Sequence, residues 1–497
     1  MEFMNSFSVT PILCFLTTLL FLYSFISNWI KTRNYPPGPL GLPLVGYVPF
    51  LGKLPSDTIW KLGKKYGDIF SFYVGPRLVI CVNDRQMMKK ILSNPLTLAR
   101  PEGAADSIVG KAGFTGLDGE KWQDHRNFVT ATMRNVGMGR GVWETLTRDC
   151  ASDFVKEIQQ KNGLPFCCEE ILSLSVINTF LSVMFGRHLD VEKEKDYIEI
   201  TSVFMKSFMK HLGSLDLAVN NTSLVKIAEF LNLKDYKLYL DLLRKFESIF
   251  EKEVNERAES KEKSPKEDFI GHYLQEIEKR NKSNKNGSLS LETLRGDMFV
   301  LLVGGRDSVM LPIGWLLLLM AAYPEVQQKI CEEIDKNIGR GGVVYFEDRV
   351  NLPYTKATLY EMLRFISINP FFPPRRVMDD FQFAGYTIPK DSHIVCNSWA
   401  MSHDPRYIED PMTFRPERFL MDNGTKLKSM ENYGFFSFGK RNCPGESVAL
   451  MSMYLYFVSI MQKFTIKMPK GGQPDMEYKY CGAVCIPNPQ ELCFIER

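Results

Sequence analysis

The sequence has no C-x-x-C pair and no zinc-ligand spacing, although it holds 11 cysteines in 497 residues. An odd number cannot close into a complete disulfide set. Cys167 and Cys168 are adjacent and cannot bridge each other without strain. This usage fits a reduced, cytosol-facing fold. An excess of charge of one sign is also missing. Lys and Arg number 61 against 58 Asp and Glu, a net of +3, so nothing marks a nucleic-acid partner. There is no internal repeat and no low-complexity segment, which sets aside solenoids and disordered arrays. No nicotinamide or flavin motif occurs.

What the chain does have is bulk: 45% of its residues are hydrophobic, ample for a large core. Val9 to Ile26 is almost wholly apolar, with no charge until Lys31. A helix of roughly 20 such residues spans a bilayer. Lys31 and Arg33 follow the run and only Glu2 precedes it, which puts the N-terminus in the lumen and the rest in the cytosol. A cleaved signal peptide would need a basic start and a small-residue cleavage site. Met-Glu-Phe and Ser24-Phe-Ile-Ser supply neither. Residues 1–34 therefore read as a retained membrane anchor. Tyr35-Pro-Pro-Gly-Pro39 opens a stiff hinge over 35–43, and 44–497 is one catalytic domain. Ile69–Val74 and Leu78–Val82 read as a hairpin around Gly75-Pro76. Helical patterns dominate from Gly119 to Phe457, and short strands return at Phe381–Ile388, Ile394–Asn397, Phe464–Lys467 and Glu491–Ile495. The expected fold class is mainly α with small β-sheets.

The chain is organised around Phe436-Ser-Phe-Gly439-Lys-Arg441-Asn-Cys443-Pro-Gly445-Glu446. A cysteine lies between glycines, follows two basic residues and precedes an apolar helix. A helix dipole and nearby cations favour thiolate over thiol, which prepares the sulfur for a metal. Gly434 to Lys440 also reads as a phosphate loop, G-x-x-x-x-G-K. Arg441 stands where that loop needs Ser or Thr, and three phenylalanines fill it.

The spacing F-x-x-G-x-R-x-C-x-G resembles the haem-binding loop of the cytochrome P-450 family of haem-thiolate monooxygenases, in the style of its animal microsomal members. The resemblance makes Cys443 the axial ligand to haem iron, with Phe436 and Gly439 of the same loop binding the cofactor beside it. It implies the cytochrome P-450 fold behind an N-terminal transmembrane helix, on the endoplasmic reticulum membrane with the catalytic domain facing the cytosol. Trp122 and Arg126 lie four apart on one helix face and offer donors suited to a carboxylate. Beside the cysteine loop they resemble the family's clamp on the haem propionates, which Arg441, Arg375 and, more loosely, Arg100 would complete. Glu361-Met-Leu-Arg364 and Pro416-Glu-Arg418-Phe419 resemble the family's E-x-x-R helix and its partner arginine. This triad would hold the cysteine loop through charge-assisted hydrogen bonds.

The stretch Met298 to Val309 lies inside a long apolar helix from about Leu289 to Ala322. It contains Gly304-Gly305-Arg306-Asp307-Ser308. Two glycines inside a helix cost roughly 1 kcal/mol each relative to Ala, so something has to approach the backbone there. The pattern resembles the family's acid–alcohol pair, in which Asp307 would carry protons and Ser308 would hold water near iron. Ser308 replaces the usual threonine. Arg306 is a charge in an apolar helix that the pattern does not explain, and Pro312 should bend or widen the helix. The resemblance further implies a lipophilic small-molecule substrate and electrons from NADPH and flavins through a separate NADPH-cytochrome reductase. Cytochrome b5 would be a further partner. The pocket is expected from the segment after Arg100, the region of Phe204 and Phe208, the helix before Gly304, Ile368–Phe372 and the turn at Cys481–Cys485. Two other readings are a haem-thiolate isomerase or dehydratase, which would not need the acid–alcohol pair, and a non-enzymatic membrane haem or ligand carrier.

Overall fold

The computed structural model describes residues 33–42, 45–101, 113–137, 141–187, 199–204, 234–259, 268–283, 288–431, 433–481 and 484–497. The apolar run Val9–Ile26, Arg140, Phe208 and most of the segment just after Arg100 lie outside them. Helix α1 is Pro55–Tyr66, and strands β1 (Ile69–Val74) and β2 (Arg77–Val82) follow. The expected hairpin is there, with Val74 opposite Arg77 across Gly75 at φ +57°. Glycine takes that left-handed backbone without cost. The proline hinge is pinned to β1. Ser71 N–H donates to Pro37 O (2.8 Å) and Ser71 Oγ to Pro36 O (2.6 Å). A Cβ on Gly38 would sit 1.6 Å from Ser71 O, so only glycine fits there.

Eleven further α-helices have both ends among the described residues. They are α2 (Arg85–Leu92), α3 (Gly119–Asn135), α4 (Val142–Gln159), α5 (Glu169–Phe185), α6 (Lys234–Glu259) and α7 (Phe269–Lys282). Then come α8 (Leu291–Ala322), α9 (Pro324–Asn337), α10 (Pro353–Ile366), α11 (Ser398–His403) and α12 (Glu446–Lys463). Strands β3 (Arg375–Arg376), β4 (Phe381–Phe383), β5 (Tyr386–Ile388) and β6 (His393–Cys396) lie between α10 and α11. The main sheet has the order β1-β2-β6-β3. Its β2–β6 pair is parallel and the other two pairs are antiparallel. Strand β7 (Phe464–Lys467) leaves α12 directly and pairs with β8 (Cys493–Glu496).

Helix α8 is the axis of the core. Ser290 and Thr293 form a reciprocal capping box at its start, which fixes the first turn two residues after the expected one. Leu316, Leu317 and Leu319 are fully buried, as are Trp315 and Met320. It is long and apolar enough to cross a bilayer, and the reason for its apolarity is burial on most sides. The backbone stays helical through Pro312. Helix α8 packs on α5 and α12, which sets it beside the loop that ends at Gly445.

Candidate active site

The cysteine loop is shaped by backbone that only small residues accept. Gly439 has φ +72°, and a Cβ there would lie 2.4 Å from Leu92 O at the end of α2. Gly434 has φ +60°, and its Cβ would strike the Phe438 ring at 2.1 Å. Cys443 N–H donates to Phe436 O (2.9 Å), closing the loop just before α12 begins. Phe436 packs against the main core and Phe438 meets Phe372 edge to face.

Cys443 is exposed on the open side of this loop, yet the protein around it withdraws enough water to push the thiol up. A hydrogen bond from the Gly445 backbone pulls it down, Glu446 pushes it up and Arg126 pulls it down. The cation acts in the expected direction, and desolvation outweighs it. A bound metal ion deprotonates a coordinating thiol by its own charge.

Four cationic side chains and an indole gather around the residues just before Cys443. Arg126, on α3, donates from Nη2 to Asn442 O (2.6 Å) and Asn442 Oδ1 (2.9 Å). Arg441 lies 3.8 Å over the Trp122 ring. It donates to Leu98 O (2.8 Å), Leu117 O (2.5 Å) and Asp118 Oδ1 (3.0 Å). Arg375 arrives on β3, 1% exposed, and donates once, to Arg441 O at 3.2 Å. Arg100 donates to the carbonyls of Pro373 (2.9 Å) and Pro374 (3.0 Å). Trp122 Nε1 and Arg375 Nε and Nη1 are buried with no hydrogen-bond partner among the described residues. Buried donors are almost always paired, so these three await an acceptor.

The electrostatics agree. Burial, and then the neighbouring Arg100 and Arg441, push Arg375 down to about 8. Burial and Arg100 push Arg441 down to about 9, against the pull of Asp118. A guanidinium keeps its proton in proteins. The depression therefore measures an unmet demand for negative charge, and two carboxylates of a bound group would supply it.

The structure divides the acid–alcohol stretch between two faces of α8. Gly304 and Ser308 are exposed one turn apart, with Ser308 Oγ donating to Gly304 O. A Cβ on Gly304 would meet nothing within 4 Å, whereas one on Gly305 would lie 2.2 Å from the Phe180 ring of α5. The two glycines thus serve different ends, open space at one and helix contact at the other. Asp307 is buried and paired with Arg306, which also donates from Nη2 to Ser173 Oγ on α5 (2.6 Å).

The Glu361–Arg364–Arg418 triad is present and buried. Arg364 Nε and Nη2 each meet a Glu361 oxygen at 2.8 Å, and Arg418 Nε meets Glu361 Oε1 at 2.9 Å. Its arginines also donate to the carbonyls of Ser402, Glu409, Asp410, Pro411 and Thr413, and Glu361 Oε1 accepts from Arg415 N–H (2.8 Å). The triad therefore ties down the coil before the cysteine loop, and among the described residues it makes no hydrogen bond to the loop itself. Phe204 also differs from expectation: it is fully buried, stacked on Phe246 at 4.5 Å.

Sequence reasoning missed two groups. Asp118 receives Arg441, Arg376 and the Arg100 backbone N–H. The buried His125–Asp297 pair (2.6 Å) joins α3 to α8, with Tyr273 of α7 on both residues and Phe114 N–H on Asp297. A histidine beside Arg126 was the one available signal, and its partner lies 172 residues away.

The family model for Cytochrome P450 matches residues 36–494. Cytochrome P450 2B2 of Rattus norvegicus is 31% identical over 98% of this chain and 100% of its own length. Cytochrome P450 2J3 of Rattus norvegicus is 30% identical over 97% of this chain and 95% of its own, and Cytochrome P450 2U1 of Bos taurus is 30% identical over 96% and 93%. The mainly helical fold and these relatives define the class as haem monooxygenase. The chain belongs to the cytochrome P450 family, of the animal type.

Proposed function

We propose that this monooxygenase inserts one oxygen atom from O2 into a lipophilic small molecule, with electrons from NADPH through a separate flavin reductase. The observation that carries the reading is the set of buried, unpartnered donors, Trp122 Nε1 and Arg375 Nε and Nη1, beside a cysteine at a helix start. Haem bound there, with iron on Cys443 Sγ, supplies the activation of dioxygen. Trp122 Nε1 and Arg375 Nε and Nη1 would take its carboxylates first, because they have no hydrogen-bond partner among the described residues. Arg126 and Arg441 add charge from positions already held by Asn442 and Asp118. Arg100 adds charge at the rim. On the opposite side, Ser308 holds a hydroxyl on the exposed stripe of α8, and Asp307 is the acid that moves protons toward it.

Substrate positioning falls to apolar residues. Ile368 and Phe372 are buried before β3, and Val300 lies on α8 above Gly304. Such a lining excludes water and favours lipophilic ligands. The reductase would dock on the Cys443 side, with cytochrome b5 as a second donor to the same face. Residues 1–34 would anchor the protein in the endoplasmic reticulum membrane, 35–43 would be the hinge, and 44–497 the cytosolic catalytic domain.

A panel of lipophilic compounds, titrated into the haem-loaded protein, tests the reading. Compounds that shift the ferric spectrum should stimulate NADPH consumption and product formation only when reductase is added. Product formation indifferent to NADPH and reductase would contradict it.

A further inference from the structure

The unpartnered donors of Arg375 have a counterpart elsewhere. Among the described residues one other arginine, Arg85, keeps two buried donors without a hydrogen-bond partner, Nε and Nη2. These two share one edge of the guanidinium. Arg364 uses the same edge to grip both oxygens of Glu361. Such a fork matches the oxygens of a carboxylate or a phosphate group. Arg85 is the first residue of α2, and its guanidinium lies over the rings of Tyr407 (4.7 Å) and Tyr433 (5.1 Å). The nearby carboxylates are committed elsewhere. Asp84 accepts from Met87 N–H (2.9 Å) and from the Tyr407 hydroxyl (2.5 Å), and Asp404 accepts from Arg406. Burial pushes the Arg85 guanidinium down, and the neighbouring tyrosines and carboxylates only partly offset it.

A cavity of about 290 Å³ opens here, lined by Arg85, Gln86, Lys89, Tyr407 and Phe438. Both of its charged walls are cationic, and none of Trp122, Arg126, Arg375 and Arg441 lines it. Lys89 follows Arg85 by one helical turn, on the same face of α2, and is exposed. Tyr407 and Phe438 add aromatic surface. We propose that this cavity is a binding site for a small organic anion: its carboxylate or phosphate group takes the Arg85 fork, Lys89 adds charge at the rim, and a flat apolar body lies against Tyr407 and Phe438. The site touches the cysteine loop. Phe438 precedes Gly439, which packs on Leu92 O at the other end of α2, and Phe438 meets Phe372 edge to face. An occupant resting on Phe438 therefore bears on the loop that presents Cys443.

The test needs neither reductase nor NADPH, so it stands apart from the oxygen-insertion reading. Phenyl phosphate is titrated by calorimetry into the full-length, haem-loaded protein, in a phosphate-free buffer of fixed ionic strength. Wild type should bind one phenyl phosphate per chain. Phenol, which keeps the ring and lacks the anion, should not displace it. Benzoate, with a carboxylate in place of the phosphate, should compete. Arg85→Gln should weaken binding about tenfold or more, the loss expected for a charge-assisted pair. Arg85→Lys keeps the charge without the fork and should fall between. Lys89→Gln should cost about threefold, as exposed charges do. The reduced CO spectrum of each variant checks that haem is held as in wild type. No saturable binding to wild type, or wild-type affinity in Arg85→Gln, would overturn the site. Should Arg85→Gln fail to hold haem, unchanged affinity in both Arg85→Lys and Lys89→Gln would overturn it instead.

Discussion

Ser308 and Gly304 present a hydroxyl and a bare backbone to the same open stripe, and this pairing says what a single residue does here. Serine keeps the hydroxyl of the threonine usual in the resemblance but lacks the methyl that restricts its rotamer. Ser308 Oγ is turned back onto Gly304 O, where it has no group to orient. Ser308→Ala should leave NADPH consumption running while product falls and hydrogen peroxide rises, because protons are then misdirected. Ser308→Thr should couple at least as well as wild type. Product per NADPH, measured beside peroxide, checks both, and full coupling in the alanine variant would remove Ser308 from the relay. Cys443, the two glycines of α8 and W-x-x-x-R could all be read from spacing. The side to which Asp307 turns could not. It depends on Ser173, 133 residues away along the chain, and no local pattern encodes such a partner.

At the level of elements, the sheet β1-β2-β6-β3 delivers Arg375 to the site, and its integrity rests partly on a buried histidine. His393, 4% exposed on β6, accepts from Arg77 Nη1 at 3.2 Å, which requires a neutral ring nitrogen. Burial first, and then Arg77 and Arg376, push it down to about 4 from 6.5. The folded protein therefore resists protonation that the unfolded chain accepts. Above pH 6.5 the effect is silent. As pH falls from 6.5 toward 4 the unfolded chain binds the extra proton, and stability drops by about 3 kcal/mol from this residue. Denaturant titrations over that window should show the drop, and His393→Gln should flatten it while keeping an acceptor for Arg77. An identical pH slope in the variant would contradict the assignment. The hairpin β1–β2 and the span of α8 were legible from alternation and apolar length. The parallel β2–β6 pair was not, because 310 residues separate the strands and neither carries a mark of the other.

For the whole molecule, the proposed function has electrons enter on the Cys443 side, because Ser308 and substrate would occupy the other. Lys121, Arg134 and Lys440 are exposed on α3 and on the cysteine loop. Arg126, Arg375 and Arg441 are turned inward. Exposed charges of one sign mainly accelerate encounter, and salt screens them over about 8 Å at physiological strength. Raising salt should therefore slow first-electron transfer. Arg134→Glu and Lys440→Glu should raise the reductase concentration for half-maximal turnover with the ferric spectrum unchanged. Reduction rates insensitive to salt and to both reversals would move docking to another face.

The expectations for coupling and for electron transfer depend on the identity of the iron ligand. The deciding measurement is the absorption spectrum of the reduced, CO-bound protein, wild type against Cys443→Ala. The account predicts the red-shifted Soret band of thiolate ligation in wild type, and its disappearance, with or without loss of haem, in the variant. Haem retained in Cys443→Ala with that band unchanged would contradict the account at its centre.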